Sequence, residues 1–434
     1  MREGQTEALV VGAGPVGLWT ALLLADAGVQ VAVIDHESRT AARSYACALH
    51  PRTLKLLERF GLVNSLFERG RRISTLAFYE GDHCHAKIDL AKSGADFPYL
   101  LIVPQNVLEQ ELELRLRQAG VEVHWNHRFE TCTEEEGTVE ATLEELGGTS
   151  TGYVVPHWET IVKRRAAVRA QFLIGADGHG SLVRQRLGLE WQRAGQREIF
   201  AAYEFQSDSA GVDEVRVVLD GATTNVLWPL PNQRLRWTFQ LGHSGGPGEL
   251  PEKERRAVRL DQPQIDEAIR KQVQRIAVQR APWFRASVHK IDWCSEIAFE
   301  RRLVSGIGRG RTWLVGDAAH QTGPAGVQSM NGGFLEASRL AQLVGQIVRH
   351  EAALDILDNY RLEQQAVWQQ MLGLKGGLRA RVETHPWIRD HAAQILPCLP
   401  GLGKEATWLA NELHLDLPQP GPTDVVATPE QHAH

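Results

Sequence analysis

The sequence predicts an α/β fold: a parallel sheet covered by helices, interleaved with a second unit built on an antiparallel sheet, with helices at the C-terminal end. Three observations carry this. Glu7–Gly12 and Val29–Ile34 are short, continuously apolar runs separated by an apolar helical stretch, Leu18–Ala27. Two such strands joined by a helix make a βαβ unit and imply a parallel sheet buried on both faces. Later, Leu235, Trp237, Phe239 and Leu241 alternate with Arg236, Thr238 and Gln240, and Ile199, Ala201, Tyr203 and Phe205 alternate in the same way. A period of two marks strands with one buried and one wet face.

Along the chain, Gly28 closes the first helix, as glycine does at a helix C-terminus. Pro51–Phe60 reads as a helix from the spacing of Leu54, Leu57 and Phe60, and Gln105–Ala119 from Leu108, Leu112 and Leu116. Val121–Val123 begins another strand, and the polar stretch Thr131–Thr151 reads as hairpin and loop. Phe172–Gly175 and Thr312–Val315 are further buried strands, and Leu335–Val348 is a long helix. The expected organisation has one unit from 1–70, 101–190 and 304–350, a second from 71–100 and 191–303, and a helical region at 351–434. Its tail from Pro418 onward reads as disordered from its Pro, Gly and Thr content.

Bulk properties narrow the function. Among 434 residues, 47 Lys and Arg face 53 Asp and Glu, a net charge of −6, so there is no basic excess to meet nucleic-acid phosphates. The block Lys163-Arg164-Arg165 is short and reads as a solvated face. The five cysteines are scattered and form no CxxC pair, which suits a reducing compartment. The polar N-terminal stretch does not resemble a signal peptide, and no run approaches the roughly 18 apolar residues of a membrane span. These features lead to the expectation of a cytoplasmic protein. Asp82-His83-Cys84-His85 has metal-binding residue types but no partner cluster, and reads as a wet loop, so no metal is expected.

Between the first strand and helix lies Gly12-Ala13-Gly14-Pro15-Val16-Gly17, a match to GxGxxG in the Rossmann-like context that gives the motif meaning. Gly12 permits the tight turn, Gly14 lets the backbone approach a pyrophosphate, and Gly17 lets the helix sit close on the sheet. Free N–H groups at the helix start favour the phosphates. Asp35 ends the following strand, where an acid meets ribose hydroxyls. The motif alone does not separate FAD from NAD. No second GxGxxG follows a strand, so any second nucleotide binds elsewhere.

Two further motifs follow. Phe172-Leu173-Ile174-Gly175-Ala176-Asp177-Gly178 is a strand running into an Asp-Gly turn, with a helix from Ser181 carrying Arg184. Thr312-Trp313-Leu314-Val315-Gly316-Asp317-Ala318-Ala319-His320 is a strand ending in Gly-Asp, followed by Gly323, Pro324, Gly326 and Asn331. In order and spacing the three motifs resemble the class A flavin monooxygenases, the para-hydroxybenzoate and phenol hydroxylase family, over most of residues 7–345.

The resemblance implies specific roles. Gly12, Gly14, Pro15, Val16, Gly17 and Asp35 would hold the ADP part of FAD. Gln105 would lie beside the flavin, and Gly316 and Asp317 would meet the ribityl chain. Asp177 and Gly178 would serve the pyrophosphate region and, indirectly, a transient NAD(P)H. Pro324 would stand at the reactive edge of the flavin, with Gly326 in the same loop. The backbone of Met330 and Asn331, at a helix start, would face the pyrimidine end of the ring. Where the family often has arginine, Tyr45 stands instead, which makes Arg43 the candidate for the pyrophosphate. Gly180 replaces the arginine of the Asp-Gly motif, Ser329 a common glycine and Arg339 a common asparagine. His320 reads as structural. The thioredoxin-like C-terminal domain of some relatives is not evident.

The implied activity is an FAD-dependent monooxygenase, in which NAD(P)H reduces FAD and O2 supplies one atom to an apolar, aromatic small molecule by hydroxylation or epoxidation. The expected substrate walls are Tyr203, Trp228, Trp237 and Phe239. A reductase or dehydrogenase on the same fold, and a flavin-binding protein without oxygenase activity, remain open alternatives. A halogenase fits less well, since Leu227-Trp228-Pro229-Leu230-Pro231 lacks the tryptophan pattern of those relatives.

Overall fold

A computed structural model of the chain describes residues 4–40, 47–135, 137–151, 157–208, 212–243 and 263–418. Arg43 and Tyr45, most of the turn-rich stretch after Gly242, and the tail beyond Pro418 lie outside these residues.

The first strand, β1 (Gly4–Val11), the helix α1 (Pro15–Asp26) and the second strand, β2 (Val31–Ile34), form the βαβ unit. Its sheet runs Gly308–Arg309, Thr312–Leu314, His157–Gly175, β1, β2 and Val123–His124, and the last five of these strands are parallel. Strands buried on both faces need side chains that are apolar throughout, and Ala8, Leu9, Val10, Phe172, Leu173 and Ile174 are all fully buried. The register Val11↔Gly175 aligns the C-terminal ends of β1 and the long strand, so the Gly12 turn and the Asp177 turn emerge side by side.

The hairpin expected within Thr131–Thr151 is present, and its strands are longer than the reading of hairpin and loop implied. The strands His127–Glu135 and Thr138–Thr151 pair with each other, and the second pairs with His157–Gly175. One face of this ladder carries charge, with Arg165 and Arg128 on Glu144 and Arg169 on Glu140, while Phe129, Val139, Ala141 and Leu143 bury the other.

The second sheet has seven strands, in the order Ile291–Phe299, Glu198–Gln206, Arg234–His243, Thr223–Leu230, Glu214–Asp220, Thr75–Glu80 and His83–Asp89. It is antiparallel except where Glu214–Asp220 pairs with Thr75–Glu80. The alternating residues divide its two faces. Tyr203, Phe205, Leu227, Leu235, Trp237 and Phe239 form a core with Val273 and Ala277 of the helix Pro263–Arg280. Val215, Val217, Val226 and Trp228 point the other way, into a core shared with Ala325, Val327 and the C-terminal helices. Asp82 sits in the turn between Thr75–Glu80 and His83–Asp89, and His83, Cys84 and His85 lie on the second of these strands, not in a loop. His85 stacks on Trp387, with ring centroids 4.2 Å apart. Among the described residues, no group of three or more potential ligands could hold a metal, and no helix is long and apolar enough to cross a membrane.

The helix Gln328–Val348 packs directly on α1. The Trp19 indole N–H lies 3.2 Å from the carbonyl of Phe334 and 3.0 Å from Ser338 Oγ, across 315 positions of sequence. The fit leaves no room for a side chain at Gly333, whose Cβ would fall 2.6 Å from Val16 Cγ2.

Candidate active site

The Gly12 turn is built by close backbone approach. Gly12 has φ +107°, and a Cβ there would lie 2.3 Å from the Ala176 carbonyl oxygen. A Cβ at Gly17 would lie 1.9 Å from the Gly12 carbonyl oxygen. Gly14 is different, because a Cβ there would meet nothing within 4 Å. It caps α1 without a side-chain hydrogen bond, and the first turn of α1 holds no acid. The turn therefore offers open space above uncapped N–H groups, the arrangement an anion needs.

Two cavities meet at this turn. One, of about 540 Å³, is lined by Gly12, Asp35, His36, Glu37, Asp177, Gly178 and His179, among others. The other, of about 270 Å³, is lined by Pro15, Val16, Gln105, Phe299, Asp317, Thr322, Pro324, Val327, Ser329 and Met330, among others. They share Gly14, Ala176 and Gly178. An elongated ligand with an anionic middle fits such a pair of cavities, with an acid for sugar hydroxyls at one end and a largely apolar chamber at the other. FAD has that shape and charge pattern.

Asp35 is held in place before any ligand arrives. Its Oδ2 accepts from the Ala13 N–H at 2.6 Å and its Oδ1 from the Glu37 N–H at 2.8 Å. Burial alone would push its pKa up. Hydrogen bonds from His36, Ala13 and Glu37 outweigh that and leave it below the usual carboxylate value. Oδ1 is shared by the Glu37 N–H and His36, while Oδ2 keeps a second lone pair for a hydroxyl.

Asp177 lines the larger cavity and also has a local structural duty. Its carboxylate accepts from the Ser181 hydroxyl and from the backbone N–H groups of Leu182 at 2.8 Å and Val183 at 3.2 Å. It thus caps the short helix Leu182–Arg186, while Gly178 lines both cavities. Ser181 shares the capping by accepting from the Arg184 N–H at 3.0 Å. Ser181→Ala is expected to cost about 1 kcal/mol of stability with FAD affinity nearly unchanged, measured by denaturant melts and FAD titration.

Several other motif residues frame the cavity without lining it. Gly316 has φ +61° and packs on Val16, and a Cβ at Gly326 would lie 2.7 Å from the Pro397 carbonyl oxygen. The Asn331 side chain is a buried staple. Its Oδ1 accepts from the His50 N–H at 2.9 Å, and its Nδ2 donates to the carbonyls of Ala48 at 3.0 Å and Val327 at 2.8 Å. His50 is buried and Nε2 lies 2.9 Å from the Gly326 carbonyl; burial pushes its pKa down to about 3, so it is neutral. Gln105 stands over the cavity, with Nε2 2.8 Å from Glu109 Oε1.

The aromatic walls are a correction. Tyr203, Trp237 and Phe239 face the helix Pro263–Arg280, on the sheet face turned away from Pro324. Trp237 stacks on Phe239 with centroids 4.9 Å apart. The alternation that revealed their strands does not say which face meets the cavity. Trp228 is on the correct face but buried in the core with Ala325 and Val327. The aromatic residue that does line the cavity is Phe299, at the end of its strand and in no recognisable motif. Ser329, Thr322 and Val327 were also unassigned.

A match to the family described as "FAD binding domain" covers residues 5–374. Para-nitrophenol 4-monooxygenase of Pseudomonas sp. (strain WBC-3) is 28% identical over 83% of this chain and 83% of its own length. The 6-methylpretetramide 4-monooxygenase of Streptomyces rimosus is 29% identical over 84% of this chain, which spans only 60% of that relative's length. The crystal structure of p-nitrophenol 4-monooxygenase PnpA from Pseudomonas putida DLL-E4 superposes with a TM-score of 0.70 at 24% identity, covering 91% of this chain and 94% of that one, so the fold is shared. With a glycine turn, a two-part trough and a family match across most of its length, the chain belongs to the FAD binding domain family, as an FAD-dependent monooxygenase of the class A aromatic hydroxylases.

Proposed function

We propose that this chain hydroxylates a phenol-type aromatic substrate, consuming one NAD(P)H, one proton and one O2, with one oxygen atom entering the product and the other leaving as water. The observation that carries this reading is the chamber lined by Gln105, Phe299, Asp317, Pro324 and Met330. Bound FAD supplies the redox chemistry, accepting hydride from NAD(P)H and reacting with O2. The protein supplies position, polarity and dryness.

Gly12, Gly14 and Asp35 hold the adenosine and pyrophosphate end, and Asp317 the ribityl chain. The helix Gln328–Val348 begins beside the chamber with no side-chain cap on its first turn. Its free N–H groups stabilise negative charge at the pyrimidine end of the ring, by about 0.3–1 kcal/mol. Pro324 has no N–H and a fixed φ, so it forms a rigid wall that donates no hydrogen bond. Phe299 covers the chamber from the second sheet and limits water. NAD(P)H visits transiently, since the single GxGxxG turn is taken by FAD. All five cysteines are free thiols, which fits the reducing cytoplasm as the location.

Para-substituted phenols are the first substrates to screen, because a relative is named for one. Turnover under labelled O2 is expected to place one labelled atom in the product. Product that forms equally well without air, and carries no label, would establish a reductase instead. Pro324→Gly is expected to raise the share of NAD(P)H lost as hydrogen peroxide several-fold while FAD content stays constant, measured as peroxide per NAD(P)H consumed.

A further inference from the structure

Behind the chamber wall runs a continuous chain of polar groups. The Ser329 hydroxyl donates to Asp317 Oδ1 at 2.5 Å, and its oxygen lies 3.5 Å from His320 Nδ1. His320 Nε2 lies 2.8 Å from Glu336 Oε2. The same carboxylate accepts from the Gly316 N–H at 3.2 Å and from the Trp368 indole. His320 and Glu336 are 0% and 1% exposed, and the imidazole stacks on the Trp368 ring at 3.6 Å.

Ser329 Oγ also lies 3.3 Å from the His320 carbonyl oxygen, so the hydroxyl is seated between the Asp317 carboxylate and the buried His320–Glu336 pair.

We propose that Ser329 is a positioning residue for the flavin, fixing the Asp317 carboxylate against the buried His320–Glu336 pair. This rests on the reading that Asp317 meets the cofactor.

The test uses the FAD-loaded protein and its Ser329→Ala, Ser329→Thr and Asp317→Ala variants, reading the FAD dissociation constant. Ser329→Ala is expected to weaken FAD about tenfold, as loss of a hydrogen bond to a charged group does. Ser329→Thr, which keeps the hydroxyl, restores it. A Ser329→Ala protein with wild-type FAD affinity overturns the proposal. If Asp317→Ala also leaves FAD affinity unchanged, the reading of Asp317 falls with it. If Asp317→Ala weakens FAD but Ser329→Ala does not, only the positioning by Ser329 is wrong.

Discussion

Replacing Gly14 by valine is expected to leave a folded, colourless protein. A Cβ at Gly14 meets no atom within 4 Å, so the added side chain occupies only the floor of the trough shared by the two cavities. A pyrophosphate lying there would lose its contact with the start of α1. We expect FAD affinity to fall by about a hundredfold or more, close to 3 kcal/mol, and turnover to vanish with it. Gly12 and Gly17 cannot report this cleanly, because their side chains would strike backbone oxygen and disturb the turn itself. The measurement is FAD titration alongside thermal melts of the two apoproteins. A valine variant that purifies yellow with wild-type affinity would move the pyrophosphate away from Gly14.

The second large effect concerns Glu204 and Arg236, a buried ion pair on the face of the second sheet opposite Trp237. Their side chains are 10% and 3% exposed, and Arg236 Nε lies 2.9 Å from Glu204 Oε1. Glu204→Ala removes a buried carboxylate from its guanidinium, which costs about 3–5 kcal/mol. Replacing both residues by methionine removes the charge together with its partner and is expected to recover most of that loss. Denaturant unfolding of the single and double variants decides the matter. A single variant within 1 kcal/mol of the parent would mean that water or another group already compensates Arg236.

The sequence revealed strands that alternate or are apolar throughout, and turns whose glycines have steric duties, though Arg236, Thr238 and Gln240, on the face expected to be wet, are buried. β1, α1, the Asp-Gly turn and the Gly-Asp turn were legible for that reason, since each couples an apolar run to a residue type its geometry demands. The hairpin at 127–151 was legible only in part, because the length of its strands depends on Glu144 pairing with Arg128 and with Arg165 of a third strand. The start of the helix Gln328–Val348 was obscured by Gly332 and Gly333, which usually weaken a helix but here admit Trp368 and Val16. For the site, motifs located the residues that touch the nucleotide trough. They could not separate Asp177 as a helix cap from Asp177 as a ligand contact, because both uses call for an acid at a turn. They also could not find Phe299, whose place in the chamber arises only when the two sheets are brought together.

The clasp between α1 and the helix Gln328–Val348 has a bearing on how the protein is made. Trp19 waits for Phe334 and Ser338 across 315 positions. At roughly 5–20 residues per second, a ribosome needs about a quarter-minute to a minute to supply them. Through that interval the nascent chain carries the nucleotide turn but not the helix that covers α1, and the indole of Trp19 stays without its native cover. The equilibrium cost of closing so long a loop is small, since each doubling of length adds only about 0.6 kcal/mol. The burden falls on timing. Chaperone capture should therefore be heaviest on chains stalled before residue 328, and FAD should be acquired only after release from the ribosome.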